Sequence, residues 1–281
     1  TAALHADFGL TGDGEASLPA LAEALAARRD PGSVPGIVLR GEGGTLTVGP
    51  PAPQGAFGPS HHALRRHVDM RRYRRHGALV PVQSKRGCPH RCTYCTYGQL
   101  EGPRYRERDP GEVAAEVKEL QSWGFPACEM VDAIFTQPAR YLAELCTAFR
   151  RAGVAPGLSA SSVNPGGLTA ADLVLMEEAG FRSITISVES ASATVLHRMK
   201  KGFGADAVRA VARALAGSRL RALWVFLLGA PGENLETMRE TLAFVDDALR
   251  PGDVAYLGYG VRVYADTELA TELGYPRETL L

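Results

Sequence analysis

Three cysteines stand close together in Cys88-Pro-His-Arg-Cys92-Thr-Tyr-Cys95, with three residues and then two between them. Thiolates at that spacing can reach three irons of one [4Fe–4S] cubane, which ordinarily takes four cysteine ligands. A fourth nearby cysteine is missing, so one iron is left open. An open coordination position marks a catalytic metal site rather than a closed structural one. The main competing reading is a structural zinc site, which would need a fourth Cys or His at suitable spacing. His90 lies inside the loop and is poorly placed for that. Cys128 and Cys146 lie far along the chain on expected core elements, where cysteine behaves as a small hydrophobe. A disulfide pair is disfavoured, because no secretory signal is visible and five cysteines do not make an even framework.

A loop of this kind needs rigid elements to hold it. From Arg75 onward the sequence alternates strand-like and helix-like patterns, the signature of a parallel sheet with crossover helices. Strands are expected over 78–83, 128–135, 158–162, 183–189, 220–229 and 255–263, with the cysteine loop following the first. Helices are expected from Pro110 to Trp123, over 139–152, from an N-cap at Thr169 to Gly180, and over 235–249. Six βα units fall short of the eight of a closed barrel, so the expected fold is α/β, a partial (β/α)6 barrel. Residues 1–77 do not fit that alternation. A strand at Phe8, the turn Gly12-Asp13-Gly14-Glu15, a helix over 18–28 and a short strand over 35–41 precede a Pro/Gly-rich stretch over 50–60. The division expected is 1–48 as the end of an α/β domain, 49–77 as a linker and 78–281 as the barrel core.

The composition sets limits. The 281 residues are 45% hydrophobic and 22% charged, ordinary values for a globular protein. Lys+Arg and Asp+Glu both number 31, so no overall field recruits nucleic acid or an anionic membrane. The basic run from Arg65 to Arg75 reads as a solvated or interdomain helix rather than a nucleic-acid face. No apolar run approaches the roughly 20 residues of a membrane span. An oxygen-labile thiolate cluster implies a reducing, cytoplasmic location.

Beyond the cysteines, an ordered series of motifs runs over residues 78–270. It comprises Gly87-Cys-Pro-x-x-Cys-x-Tyr-Cys-x-Tyr, Glu101-Gly102-x-Arg104-x-Arg106, Val131-Asp132-x-x-Phe135-x-x-Pro138 and Val188-Glu189-Ser190-Ala191-Ser192. Leu196 with Lys200 and Phe203, Gly229-x-Pro231-Gly232-Glu233, Gly260-Val-Arg262-Val-Tyr264 and Thr267-x-Leu269-Ala270 continue it. The series resembles the radical S-adenosylmethionine (SAM) superfamily, in the branch that carries a cobalamin (B12) domain upstream. The resemblance implies that Cys88, Cys92 and Cys95 hold the cluster and that SAM chelates the open iron through its amino and carboxylate groups. It implies that the backbone at Tyr94 meets adenine, and that Asp132 caps the methionine amino group, although the family's Gly-Gly-Glu is not present there. Ser161 and Glu189, at the ends of the third and fourth strands, are implied to bond the ribose or amino group. Lys200 is implied to pair with the SAM carboxylate, and Leu228-Gly229 to contact adenine. The turn with Gly12 and Gly14 is similar to the last strand–turn–helix of the B12 domain, where glycine lets the backbone approach a bulky ligand.

The activity implied is reductive cleavage of SAM to a 5′-deoxyadenosyl radical, serving cobalamin-dependent methylation of an unactivated carbon. Radical dehydration, epimerisation or rearrangement beside a degenerate B12 domain is the alternative, and a metal-stabilised binding module without turnover is the reading from another class. The implied cofactors are the cluster, SAM and cobalamin. The implied partners are a small-molecule or natural-product substrate and a one-electron donor such as flavodoxin or ferredoxin. The family's Asp-x-His-x-x-Gly cobalt-ligating motif does not occur in these residues, so the chain is expected to be truncated and to bind cobalamin weakly by itself.

Overall fold

The computed structural model describes residues 6–41, 44–50, 52 and 65–275. The chain opens with β1 (Phe8–Leu10), α1 (Gly14–Ala26), β2 (Ile37–Arg40) and β3 (Leu46–Val48), then α2 (Met70–Arg75) and β4 (Val80–Val82). Around the cysteines lie β5 (Lys85–Arg86), α3 (Tyr97–Leu100) and β6 (Arg106–Glu107). There follow α4 (Pro110–Ser122), β7 (Cys128–Met130), α5 (Ala139–Arg151), β8 (Leu158–Val163), α6 (Ala170–Glu178) and β9 (Phe181–Glu189). The last elements are α7 (Ala193–Arg198), α8 (Ala205–Leu215), β10 (Arg221–Leu228), α9 (Leu235–Ala248), β11 (Val254–Tyr259) and α10 (Glu268–Glu272).

Strands β4, β7, β8, β9, β10 and β11 form one sheet in that spatial order, and every pairing is parallel. Among the described residues β4 and β11 do not pair with each other, so the barrel is open as expected. Helix starts follow local chemistry. The Asp109 carboxylate accepts from the Glu112 N–H at 3.0 Å ahead of Pro110, and Thr169 with Asp172 makes a reciprocal capping box. The core lies between the sheet and its helices. Ile184, Ile186 and Val188 of β9 and Ala222, Trp224 and Phe226 of β10 are buried in it, with Phe244 of α9 5.7 Å from the Trp224 ring. Cys128 and Cys146 are buried in that same core, as expected of small hydrophobes. The alternate residues Ser183, Thr185, Ser187, Leu223, Val225 and Leu227 are only half-buried on the other face. A parallel sheet covered on both faces reads as a continuous apolar run. The period of two seen here leaves the concave face open.

The structure departs from the expected elements in several places, and it adds β3 near the N-terminus and α8 between β9 and β10. β7 stops at Met130 rather than continuing to Phe135, because Asp132 turns away to bond the chain leaving β4. β11 ends at Tyr259, where Gly260 takes φ +77°. The two-residue hairpin β5–β6 is too short to have shown a periodicity. The first helix begins at Gly14, ahead of the expected 18. Near the N-terminus β1, β2 and β3 form a separate antiparallel sheet, and Leu21 and Ala24 of α1 make a small core with Val34 and Ile37. The Pro/Gly stretch expected over 50–60 lies largely outside the described residues. In the basic run, α2 is exposed while Arg65 is inserted against Glu116.

The sheet's floor is closed by one ion pair. Arg250 donates to the Ser218 and Leu220 carbonyls at 2.8 and 2.7 Å and to Asp253 at 2.7 Å, and Asp253 also accepts from the Ala222 N–H at 3.2 Å. Burial pushes the Asp253 carboxyl up, but the hydrogen bonds and charge of Arg250 outweigh it and hold the pKa below its ordinary value. A depressed folded-state pKa stabilises above the unfolded value of about 3.9 and is lost as pH falls through the folded one. Asp253→Asn should therefore unfold more readily than wild type at pH 7, with the difference shrinking below about pH 4 in urea melts. A difference that stays constant to pH 2 would contradict this pairing.

Candidate metal centre

The cysteine loop is set by a buried carboxylate. Asp132 is almost fully buried, and its oxygens accept from the Ser84 N–H at 2.6 Å, the Lys85 N–H at 3.1 Å, the Lys85 ammonium at 2.8 Å and the Ser84 hydroxyl. Lys85 Nζ also donates to the Phe135 carbonyl at 2.9 Å and lies 5.4 Å from the Phe135 and Tyr141 rings. From that anchor the chain passes through β5 into Gly87, whose φ of +89° and closeness to the Arg104 carbonyl leave no room for a side chain. The Cys88 N–H then donates to the Gly102 carbonyl at 3.0 Å, and the Cys95 N–H to the Cys92 carbonyl at 3.2 Å. Thr93 joins the loop to the far side of the barrel, its N–H bonding the Met199 carbonyl and its carbonyl the Leu269 N–H. His90 is held outward by Gln137, 2.9 Å from its Nε2, and packs on Gly202.

Cys88 and Cys92 are both shifted by their surroundings. Burial pushes Cys92 up to about 11, while Lys201 lowers it and Cys95 and Cys88 raise it further. Cys88 is likewise raised, by burial first. Without a metal the Cys88 and Cys92 thiols therefore hold their protons, and iron would replace them. Among the described residues no group of three His, Cys, Asp or Glu side chains is gathered around a single-ion position. A cubane makes a different demand, since its thiolates are distributed over separate irons. The donor set is all thiol, polarised by an adjacent ammonium, and fits such a cluster.

Beside the thiols lies a buried polar triad. The Tyr94 hydroxyl donates to Glu189 Oε1 at 3.0 Å, the Lys201 ammonium donates to the Tyr94 hydroxyl at 3.2 Å, and Lys201 Nζ stands 2.6 Å from Glu189 Oε2. Glu189 is aimed inward by two features, an irregularity in the β9–β10 register and its own φ of +62°. Burial lowers the Lys201 pKa, but Glu189 and the thiols outweigh it and keep the group charged. Burial and the Glu189 charge push the Tyr94 phenol strongly up, so it stays a donor.

Several expected site residues sit elsewhere. Lys200 is exposed and pairs with Glu268 at 2.6 Å, because φ +54° turns its side chain outward and puts Lys201 in its place. Both Asp132 oxygens are committed to Ser84 and Lys85, so the carboxylate shapes the loop and has no capacity for an amino group. Ser161 lies half-buried on the inner face, its hydroxyl donating to the Met130 carbonyl at 3.0 Å. The Leu228 carbonyl accepts from the Gly260 N–H at 2.7 Å, and Gly229 at φ +85° ends β10 with its N–H on the Glu233 carboxylate. Gly12 takes φ +79°, while Gly14 opens α1 with free space where a side chain would stand. Lys201 is the residue that sequence reasoning missed; its one signal is its place before Gly202 at the end of a short helix.

A thiol loop and a buried acid–base pair at the C-terminal ends of an open parallel barrel define a class of cluster-bearing barrel enzymes. The chain belongs to the radical SAM superfamily, whose family model matches residues 82–245, more than half of its length. It is 28% identical over 252 residues to an uncharacterized methyltransferase of Pyrococcus horikoshii, covering 85% of this chain and 52% of that protein. It is 31% identical over 155 residues to hopanoid C-3 methylase of Methylococcus capsulatus, covering 53% of this chain and 28% of that one. The structure of TsrM from Kitasatospora setae, a radical SAM methyltransferase with cobalamin and a [4Fe–4S] cluster bound, superposes with a TM-score of 0.79 at 24% identity, covering 95% of this chain and 53% of that one. The chain thus spans about half the length of these relatives or less. Among the described residues no helix is long and apolar enough to cross a membrane.

The triad makes a sharp contrast between adjacent lysines. Lys201→Met strands the buried Glu189 and should cost about 3–5 kcal/mol, whereas Lys200→Met breaks only an exposed pair worth at most about 1 kcal/mol. Urea denaturation of the two variants checks this; equal losses would mean that Lys201 is not the buried partner.

Proposed function

We propose that the chain is the core of a radical SAM enzyme that methylates an unactivated carbon of a small molecule with the help of cobalamin. The observation that carries the reading is the convergence of Cys88, Cys92 and Cys95 with the Glu189–Tyr94–Lys201 triad at one end of an open barrel. Cys88, Cys92 and Cys95 would hold the cluster, which when bound supplies the electron that cleaves SAM reductively. Glu189 and Lys201 offer an acceptor and a cation suited to the hydroxyls and carboxylate of SAM. They replace Lys200 and Asp132 in the recognition of that ligand. Tyr94 fixes the two relative to each other, and its high pKa keeps it from acting as a base. The concave face, with Ser161, Ser183, Thr185 and Ser187 on one side and Leu223, Val225 and Leu227 on the other, gives the substrate a lining that is hydroxyl-bearing on one side and apolar on the other.

Cobalamin and methyl transfer rest on likeness to relatives. TsrM carries cobalamin in one structure, and in another, 25% identical to this chain, it holds tryptophan and a SAM analogue. Residues 1–48 are proposed as the end of a cobalamin-binding unit, with Gly12 and Gly14 on its ligand-facing turn, 49–77 as a linker and 78–281 as the barrel core. The small separate core of Leu21, Ala24, Val34 and Ile37 supports that division. The working place proposed is the reducing cytoplasm, with a flavodoxin- or ferredoxin-like donor supplying electrons.

Anaerobic reconstitution should load about four irons and four sulfides per chain. Cys88→Ala, Cys92→Ala and Cys95→Ala should each abolish the loading, while Cys128→Ala should keep it. With a strong reductant and SAM, wild type should release 5′-deoxyadenosine. Iron loading that depends as much on Cys128 as on the other three would overturn the ligand assignment.

A further inference from the structure

The hairpin that launches the cysteine loop contains an electrostatic conflict. Arg86 of β5 and Arg106 of β6 are directly paired across its two strands. Like charges facing each other across a strand pair are destabilising, and both guanidinium side chains are largely buried, at 14% and 12% exposure. The conflict is resolved from outside the barrel. Asp13, in the turn between β1 and α1, lies 3.3 Å from Arg86 Nη1 and accepts from both terminal nitrogens of Arg106, at 3.2 Å from Nη2. Glu15, one residue into α1, lies 2.5 Å from Arg86 Nη2.

We infer that the acidic turn Asp13–Glu15 is a docking latch, by which the N-terminal unit seats on the barrel and fixes the hairpin that carries the first cysteine. The connection onward is short. Arg106 Nη2 also donates to the Glu101 carbonyl at 2.9 Å, and the Glu101 carboxylate accepts from the Gly87 N–H at 3.0 Å and from Gln83 Nε2 at 3.0 Å. The Cys88 N–H closes on the neighbouring Gly102 carbonyl at 3.0 Å. Asp13 is thus joined to the Gly87 N–H, beside Cys88, through the side chains of Arg106 and Glu101. Arg106 holds the Asp13 carboxyl below its ordinary pKa and outweighs the effect of burial, so the latch stays charged at neutral pH. Asp13 and Glu15 are positioning residues. Given the proposed function, they set the N-terminal unit, and whatever it presents, at a fixed height above the cluster.

The test compares wild type, Asp13→Asn, Asp13→Arg and the control Glu23→Arg, which makes the same charge change as Asp13→Arg on an exposed position of α1. Amide hydrogen exchange by mass spectrometry is read for peptides covering 83–88 and 101–107, and loss of the reconstituted cluster's visible absorption is timed under a chelator. Asp13→Arg should speed exchange in both peptides by about tenfold or more and Asp13→Asn by less. Exchange in the barrel strands β9 and β10 should stay at wild-type rates, and the cluster should be lost several-fold faster. Glu23→Arg should match wild type throughout. If Asp13→Arg does not fold, the graded effect of Asp13→Asn against Glu23→Arg decides. Unchanged hairpin exchange in a folded Asp13 variant overturns the latch. Faster exchange in a protein that never loads iron would leave the latch standing and sink the proposed function instead.

Discussion

The geometry of the site depends on one buried carboxylate. Asp132 accepts two backbone N–H groups, a hydroxyl and an ammonium, all from Ser84 and Lys85, in a position nearly closed to water. Hydrogen bonds to an ionised acceptor are roughly twice as strong as neutral ones. A buried pair deprived of one member costs about 3–5 kcal/mol because the survivor is left charged. Asp132 therefore takes the chain out of β4 in a single direction. The same bonds end β7 early, since Asp132 cannot both continue the strand and reach Ser84. Sheet, hairpin and cysteine loop share this one constraint.

A second buried pair shapes the electrostatics. Lys201 sits beside thiols that burial keeps protonated; at Cys92 its charge opposes that effect without overcoming it, and the pKa stays raised to about 11. Glu189 in turn keeps Lys201 charged in a place where an isolated ammonium would lose its proton. Tyr94 belongs to the cysteine loop by sequence and to the acid–base pair by its hydrogen bonds, so the loop and the strand ends are tied into one unit. That arrangement sets three thiols, a cation and an acceptor side by side. It is a suitable cradle for a zwitterionic sulfonium ligand.

The cysteine loop and the six parallel strands were legible in the sequence because both are local signals, a fixed spacing in one case and short apolar runs between turn residues in the other. Thr169 and Pro110 announced their helices for the same reason. What could not be read depended on distance or on a single backbone angle. Lys85 and Asp132 are 47 residues apart, so the motif holding Asp132 drew attention to a ligand role while its partner stayed out of view. The choice between Lys200 and Lys201 turns on one positive φ. The hairpin β5–β6 has two residues per strand, too few to show a period, and the latch at Asp13 spans 93 residues. The antiparallel pairing of β1 with β2 likewise arises from contacts that no short window displays.

The central claim is that the three thiols and the Glu189–Lys201 pair form one site for a cluster and its SAM ligand. Electron paramagnetic resonance of the reduced, reconstituted protein tests it most directly, recorded with and without SAM in wild type and in Glu189→Gln, which keeps the side chain's shape. SAM should shift the wild-type cluster signal, and Glu189→Gln should give the same starting signal but need at least about tenfold more SAM to shift it, as the loss of one charge-assisted contact would require. A cluster signal that SAM leaves unaltered in wild type, or shifts at the same concentration in both proteins, would contradict it.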